Sequence, residues 1–371
     1  MPDVAVIFGG PSPEHDVSVL TGLQAARELL RSGRAVHALY WSKAGDFSEV
    51  AAGLEAEAFL EGVPRGSTPL RLVTGSDGGF VGEGGRFGRA RPLELEAAVV
   101  CCHGGPGEDG TLQAALDLAG VAYAGPTVAG AALGMDKLAF GAVMEGAGLP
   151  TLPRVLLGHD TADVGFAPPY IVKPRFGGSS IGIQVVADLA TALAQLSANR
   201  HLAAGAVLEP YRDDLADIQL AVRSWPSLEL SAIERPLRSD PGAGSEILGY
   251  ADKYVGGEGM AGAPRELPAR IDAPLEQRIR QVAGEVARLC GVRGVARIDF
   301  LSDGADLVVN EINTVPGSLA RYLWIDPPVP FAQLLDDLLA EATARPTHAY
   351  SAAGADGTVL RRAGSIATKL A

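Results

Sequence analysis

Val4-Ala-Val-Ile-Phe8 is a continuous apolar run that stops at Gly9-Gly-Pro11, and a second run, Val36-His-Ala-Leu-Tyr-Trp41, follows about thirty residues later. Apolar residues at every position suit a strand buried on both faces, as in a parallel sheet. Between the two runs, Val19, Leu23, Ala26 and Leu30 fall on one side of a helix beginning near Ser18, and Gly33 lies where a C-cap belongs. Strand, loop, helix, strand in that order predicts an open α/β sheet, whose ligands gather at the carboxyl ends of the strands. Ala97-Ala-Val-Val-Cys-Cys102 is a further buried strand, and it delivers His103-Gly-Gly-Pro-Gly-Glu-Asp-Gly110 to that edge.

Working outward, a turn at Gly125-Pro126 opens a second unit, in which a small-residue helix runs into Met135-Asp-Lys137. Tyr170-Ile-Val-Lys173 and Ala206-Val-Leu-Glu209 read as strands that each end on an ionisable side chain. A third unit holds a helix with Leu275, Ile279, Val282, Val286 and Leu289 on one side, followed by strands over 296–301 and 307–312. Residues 239–264 are rich in glycine and poor in large apolar residues, a stretch long enough to serve as a functional flap. The expected organisation is an N-terminal α/β domain over 1–125, a central one over 126–212, a C-terminal one over 213–345 carrying the flap, and an appendage over 346–371.

At 371 residues the chain suits two to three domains of roughly 150 residues each. Its 31 basic and 44 acidic residues give a net charge of −13 with no clustered basic face, which excludes nucleic acid as an expected partner. A small polyanion remains admissible, because a few convergent lysines or a bound cation suffice to hold one. Cys101, Cys102 and Cys290 form neither a disulfide framework nor a metal-binding spacing. No run approaches the length of a membrane span and the first residues lack a basic leader, so a cytoplasmic protein without membrane association is expected.

Two constellations carry chemistry. In Lys173-Pro-Arg-Phe-Gly-Gly-Ser-Ser-Ile-Gly182 a strand ends on lysine, and glycines with Ser179 and Ser180 let backbone N–H groups and hydroxyls approach an anion. The spelling is neither that of a P-loop nor that of a dinucleotide fingerprint. In the second, strand alternation places Arg297 with Asp299, and Glu311 with Asn313, on faces that can converge. Two carboxylates and an amide oxygen are hard ligands suited to Mg²⁺. A cross-strand salt bridge from Arg297 is the competing reading. Asn313-Thr-Val-Pro-Gly317 favours the metal site, because the strand ends in a tight turn whose amides can face a reacting carbonyl.

These segments, with Gly9-Gly-Pro-Ser-Pro-Glu-His-Asp-Val-Ser18, occur in the order found in D-alanine–D-alanine ligases, and over residues 4–330 the chain resembles that family. The resemblance implies a three-domain ATP-grasp fold and the joining of two D-alanines through an acyl phosphate, for peptidoglycan precursors. It implies ATP and Mg²⁺, with Mn²⁺ as an alternative, and a homodimer formed through the N-terminal domain. By position, Lys137 and Lys173 match phosphate-contacting lysines, with Ser179, Ser180 and Lys253 also on the nucleotide side. Glu209 matches the acidic residue beside adenine, and Asp217 lies near the ribose-binding acid. Asp299, Glu311 and Asn313 match the metal ligands. Arg297 and the Gly317 amide match the groups that stabilise charge during acyl transfer. Glu14 matches the acid that holds the first ammonium, His103 the histidine beside it, and Ser179 and Tyr254 the partners that hydrogen-bond with Glu14 near the substrates. Tyr250, Lys253 and Tyr254 lie in the glycine-rich stretch, where the family carries its mobile flap.

The chain departs from that pattern in places. Tyr322 stands by spacing where a serine usually holds the second substrate's carboxylate, with Arg321 beside it, so the acceptor pocket is reshaped. Gly177 replaces a common acidic residue, and Gly141 replaces a lysine often found four residues after Lys137. Tyrosine at 254, where D-lactate-using relatives tend to have histidine, favours an amine acceptor. Two alternatives are a ligase for another pair of small amino acids and a nucleotide-binding module without catalysis. The intact Arg297, Asp299, Glu311 and Asn313 argue against the module.

Overall fold

The computed structural model describes residues 3–82, 92–237, 264–347 and 351–369. The first sheet contains β1 (Asp3–Gly9), β2 (Val36–Trp41), β3 (Phe47–Val50), β4 (Thr68–Val73), β5 (Gly79–Gly82), β6 (Leu95–Val100) and β7 (Tyr123–Ala124), in the order β5-β4-β3-β2-β1-β6-β7. Its centre is parallel as the apolar runs predict, with β1 paired in parallel to β2 and β6, and β6 to β7. Three antiparallel strands, β3 to β5, extend it on one side.

Both faces of β1 are covered, which is why its apolar run is unbroken. Val4, Val6 and Phe8 pack on α1 (His15–Arg31), and Ala5 and Ile7 join Leu112 and Leu116 of α2 (Thr111–Leu118). Beyond these come α3 (Val128–Met135), α4 (Lys137–Gly146) and a four-stranded antiparallel sheet. Its strands are β8 (Val155–Leu157), β9 (Tyr170–Pro174), β10 (Gln184–Val186) and β11 (Ala206–Pro210), backed by α5 (Leu189–Ala198).

The third sheet, of order β13-β12-β16-β17, is built from β12 (Ala216–Arg223), β13 (Glu229–Leu230), β16 (Val295–Ser302) and β17 (Leu307–Asn313). A separate ribbon pairs β14 (Arg235–Pro236) with β15 (Arg265–Glu266). Helix α6 (Ala273–Leu289) lays Leu275, Ile279, Val282 and Val286 on the third sheet, whereas Leu289, on the last turn beyond the sheet, is 42% exposed. Phe140 and Met144 of α4 complete the same core, so the second unit's helix is packed into the third. Helix α7 (Phe331–Ala344), expected within the C-terminal unit, places Leu334, Leu335, Leu338 and Leu339 against the first sheet. Two short helices, α8 (Thr358–Arg362) and α9 (Ile366–Lys369), follow, with Val359 and Leu360 exposed.

Candidate active site

A cleft opens between the second and third sheets, lined by Lys137, Lys173, Ser180, Glu209, Asp217, Asp299 and Glu311 among others. Asp136 caps α4 by accepting from the Leu138 and Ala139 amides at 3.1 and 3.2 Å, which places Lys137 as the first helical residue. Arg175 clamps the same carboxylate at 2.8 and 2.6 Å, tying the Gly-Ser loop to the helix start. Lys137 Nζ donates to the Gly177 carbonyl at 2.6 Å and lies 3.1 Å from Glu311 Oε2. Lys173 Nζ donates to Glu209 Oε2 at 2.8 Å and to Asn310 Oδ1 at 3.2 Å. Burial alone would raise the Glu209 carboxyl, but Lys173 and Arg154 beside it outweigh burial and hold it below the usual carboxylate range.

The antiparallel register of β16 and β17 sets Arg297 opposite Asn313 and Asp299 opposite Glu311. All four side chains therefore meet on one side of the pair, because side chains alternate with period two. The competing salt bridge is present as well: Arg297 Nε and Nη2 each donate to Asp299 at 2.7 Å. Asn313 Nδ2 adds a donation to Asp299 Oδ2 at 3.1 Å. Two carboxylates and an amide oxygen gathered here are a donor set that fits a hard divalent cation such as Mg²⁺.

Glu311 also borders a second, smaller cavity, lined by Glu14, His103, Glu108, Ser179, Arg297, Asn313 and Gly317. Glu14 is buried there and accepts from the Ser179 hydroxyl. A Cβ on Gly104 would stand 2.2 Å from Glu14 Oε2, and Gly104 has φ of 64°, so both space and backbone demand glycine. His103 is fully used by the protein: Nδ1 donates to the Val315 carbonyl at 2.7 Å, and the Thr21 hydroxyl, 2.7 Å away, donates to Nε2. Burial, aided by the Arg297 charge, lowers its pKa to about 4, so it is a neutral strut near neutral pH. Thr21 Oγ1 in turn accepts from the Ser318 amide at 3.0 Å, tying α1 to the turn after Gly317.

Glu108 also lines this site, a position that strand periodicity does not mark. Its carboxylate accepts from the Gly104 amide at 2.9 Å and the Val315 amide at 2.9 Å, joining the His103 loop to the end of β17. Burial and the nearby Glu14 carboxylate push its pKa up to about 7. Its position in the quoted His103–Gly110 segment, between glycines, is the signal that could have found it. Arg154, which touches Glu209, left no comparable signal. Among the described residues the non-glycines with left-handed φ are Ser179, Ser180, Ser318, Leu319 and Ala320; Ser179 borders the small cavity, Ser180 the cleft, and the other three follow directly on Gly317 of the small cavity. Such conformations cost on the order of 1–2 kcal/mol each and persist where packing over-determines them.

Two groups of expected site residues stand apart. Tyr250, Lys253 and Tyr254 lie outside the described residues. Tyr322 lines neither cavity; its ring lies 4.6 Å beneath the Arg265 guanidinium, and its buried hydroxyl has no hydrogen-bond partner among the described residues. Burial raises its pKa well above the ordinary phenol range.

A parallel-centred N-terminal sheet followed by two antiparallel sheets that enclose a lysine-lined cleft defines the ATP-grasp class of protein. Residues 3–126 match the family described as D-ala D-ala ligase N-terminus, and residues 149–340 match D-ala D-ala ligase C-terminus. A D-alanine–D-alanine ligase of a Bradyrhizobium species is 31% identical over 353 residues, spanning 92% of this chain and 95% of its own. The crystal structure of D-alanine–D-alanine ligase from Helicobacter pylori superposes with a TM-score of 0.72 at 23% identity, covering 94% of this chain and all (100%) of that one. That of VanG D-Ala:D-Ser ligase from Enterococcus faecalis gives 0.73 at 24% identity, covering 92% and 99%. The chain belongs to the D-alanine–D-alanine ligase family.

Proposed function

We propose that this chain is an ATP-dependent D-alanine–D-alanine ligase supplying a peptidoglycan precursor. The observation that carries the reading is the shared wall: Glu311 borders both the lysine-lined cleft and the small cavity holding Glu14, Arg297 and Gly317. A nucleotide in the cleft would present its terminal phosphate to an amino acid in the cavity. A carboxylate is a poor electrophile until one oxygen becomes a good leaving group, and phosphorylation to an acyl phosphate achieves that. Lys137 and Lys173 would offset phosphate charge, and Glu209 and Asp217 would lie on the nucleoside side. Asp299, Glu311 and Asn313 would hold Mg²⁺, which when bound supplies charge neutralisation and orientation of the phosphates.

Glu14, oriented by Ser179, would hold the first ammonium. Arg297 and the Gly317 amide would stabilise the oxyanion formed when the second amine attacks. His103 would act through position, since both its ring nitrogens are bound within the protein. We place Tyr254 and Lys253 in a covering flap on the resemblance alone, which also supports a cytoplasmic homodimer with domains over 1–125, 126–212 and 213–345. Among the described residues no helix is long and apolar enough to cross a membrane.

Tyr322, turned against Arg265 and away from both cavities, favours a second reading in which the acceptor differs from D-alanine. Incubation with ATP, Mg²⁺ and D-alanine, alone and against a panel of D- and L-amino acids and D-lactate, tests both readings. ADP release with D-alanyl-D-alanine in the mass spectrum is the expected result. A mixed dipeptide alone would support the second reading, and no ADP release with any acceptor would overturn both.

A further inference from the structure

We propose that Arg154 is a positioning residue of the nucleotide site, and that Gly141 is glycine in order to admit it. Arg154 immediately precedes β8 and its side chain is only 4% exposed. Nη1 donates to the Lys137 carbonyl at 2.6 Å, and Nη2 donates to the Asn310 carbonyl. Nε lies 3.1 Å from Glu209 Oε1, an ionic contact without hydrogen-bond alignment. One guanidinium thus ties together the start of α4, β17 beside Glu311, and the carboxylate at the end of β11.

This arrangement settles a conflict over Lys173. Glu209 is fully buried, and a buried carboxylate needs countercharge. Lys173 takes Oε2 and Arg154 faces Oε1, so the lysine does not carry the whole neutralisation and retains charge to direct at a phosphate. Arg154 also fixes the backbone from which Lys137 projects. A neutral residue at 154 would leave Glu209 drawing Lys173 inward and would loosen the carbonyl of Lys137.

Gly141 lies in the interior of α4, where glycine is a poor helix former. A Cβ there would stand 2.5 Å from Arg154 Cδ and 3.1 Å from its Nε. Its helical backbone does not require glycine, so the passage of the arginine stem is the reason for it. The two positions form one unit: a side chain at 141 displaces the arginine.

The inference rests on the ligase reading, and steady-state kinetics separate the two. Wild-type protein that releases no ADP fails that reading. With an active wild type, Arg154→Ala is expected to raise the ATP KM roughly ten- to a hundredfold, the scale of hydrogen bonds to a charged group, with the amino-acid KM little changed. Gly141→Ala is expected to raise the ATP KM in the same direction, and the double variant to be no worse than Arg154→Ala, because the clash is then gone. Arg154→Lys, which keeps charge but not the fork, should recover part of the loss. An ATP KM within about twofold of wild type in Arg154→Ala, or additive effects in the double variant, overturns the proposal. Should Arg154→Ala not fold, Gly141→Ala and Arg154→Lys carry the test, and an unchanged ATP KM in Gly141→Ala overturns it.

Discussion

Replacing Arg297 by methionine keeps the length of the side-chain stem and removes the guanidinium. In the native protein Arg297 is 7% exposed and two of its five donors hold Asp299 at 2.7 Å. The same residue lines the small cavity with Gly317, where a tetrahedral oxyanion would form. Loss of one such donor costs about 3–4 kcal/mol in the transition state, a fall in turnover of roughly a hundred- to a thousandfold. A second consequence falls on Asp299, which is 9% exposed and would keep only the Asn313 amide at 3.1 Å. Breaking a buried pair from one side costs about 3–5 kcal/mol, so the variant is expected to unfold at lower denaturant in the absence of Mg²⁺ and to recover part of that loss on its addition. Because stability and chemistry fall together, ADP release must be expressed per folded molecule and read beside equilibrium ATP binding. Arg297 acts late if binding is retained while turnover collapses. Turnover within about tenfold of wild type would refute the assignment, since no oxyanion donor of this kind is worth so little.

Two further outcomes follow from the small cavity. Glu14→Gln removes the charge proposed to face the first ammonium while keeping a side chain of the same shape, and should raise the amino-acid KM by at least about thirtyfold without moving the ATP KM, measured by ADP release; equal shifts in both constants would contradict the placement. His103, held near pKa 4 against 6.5 when unfolded, contributes stability that is fully present above about pH 6.5 and is lost as pH falls toward 4, on the order of 3 kcal/mol in all. Glu108, raised to about 7, runs the opposite way, since its folded form binds the proton more readily as pH falls from 7 toward 4.5. The stability difference between wild type and His103→Gln, read from urea midpoints, should shrink steadily as pH drops from 6.5 toward 4; a difference independent of pH would show that His103 is not held neutral.

The parts of this site that can be read along the chain are those whose geometry is set by local periodicity. Alternation on two adjacent strands is enough to bring Arg297, Asp299, Glu311 and Asn313 together, and the observed register does so. An unbroken apolar run suffices to place β1 at the centre of a parallel sheet. The antiparallel strands β3 to β5 have no unbroken apolar run, β3 and β5 being only four residues long and β4 interrupted by Pro69 and Arg71, so they lack both signatures. Helix α7 shows an apolar stripe, but a stripe says only that some core receives it; that it is the first sheet's core depends on the chain's return across the molecule. Along the sequence Gly141 reads as a lost lysine beside the nucleotide. In space the vacancy is filled by the stem of Arg154, whose charge arrives from thirteen residues further on and reaches Glu209. A motif scored position by position counts that exchange as a loss, because the compensating residue belongs to a different element. Charge near a phosphate is a property of the volume around it, so a family pattern can lose a cation at one position and keep the field at the site.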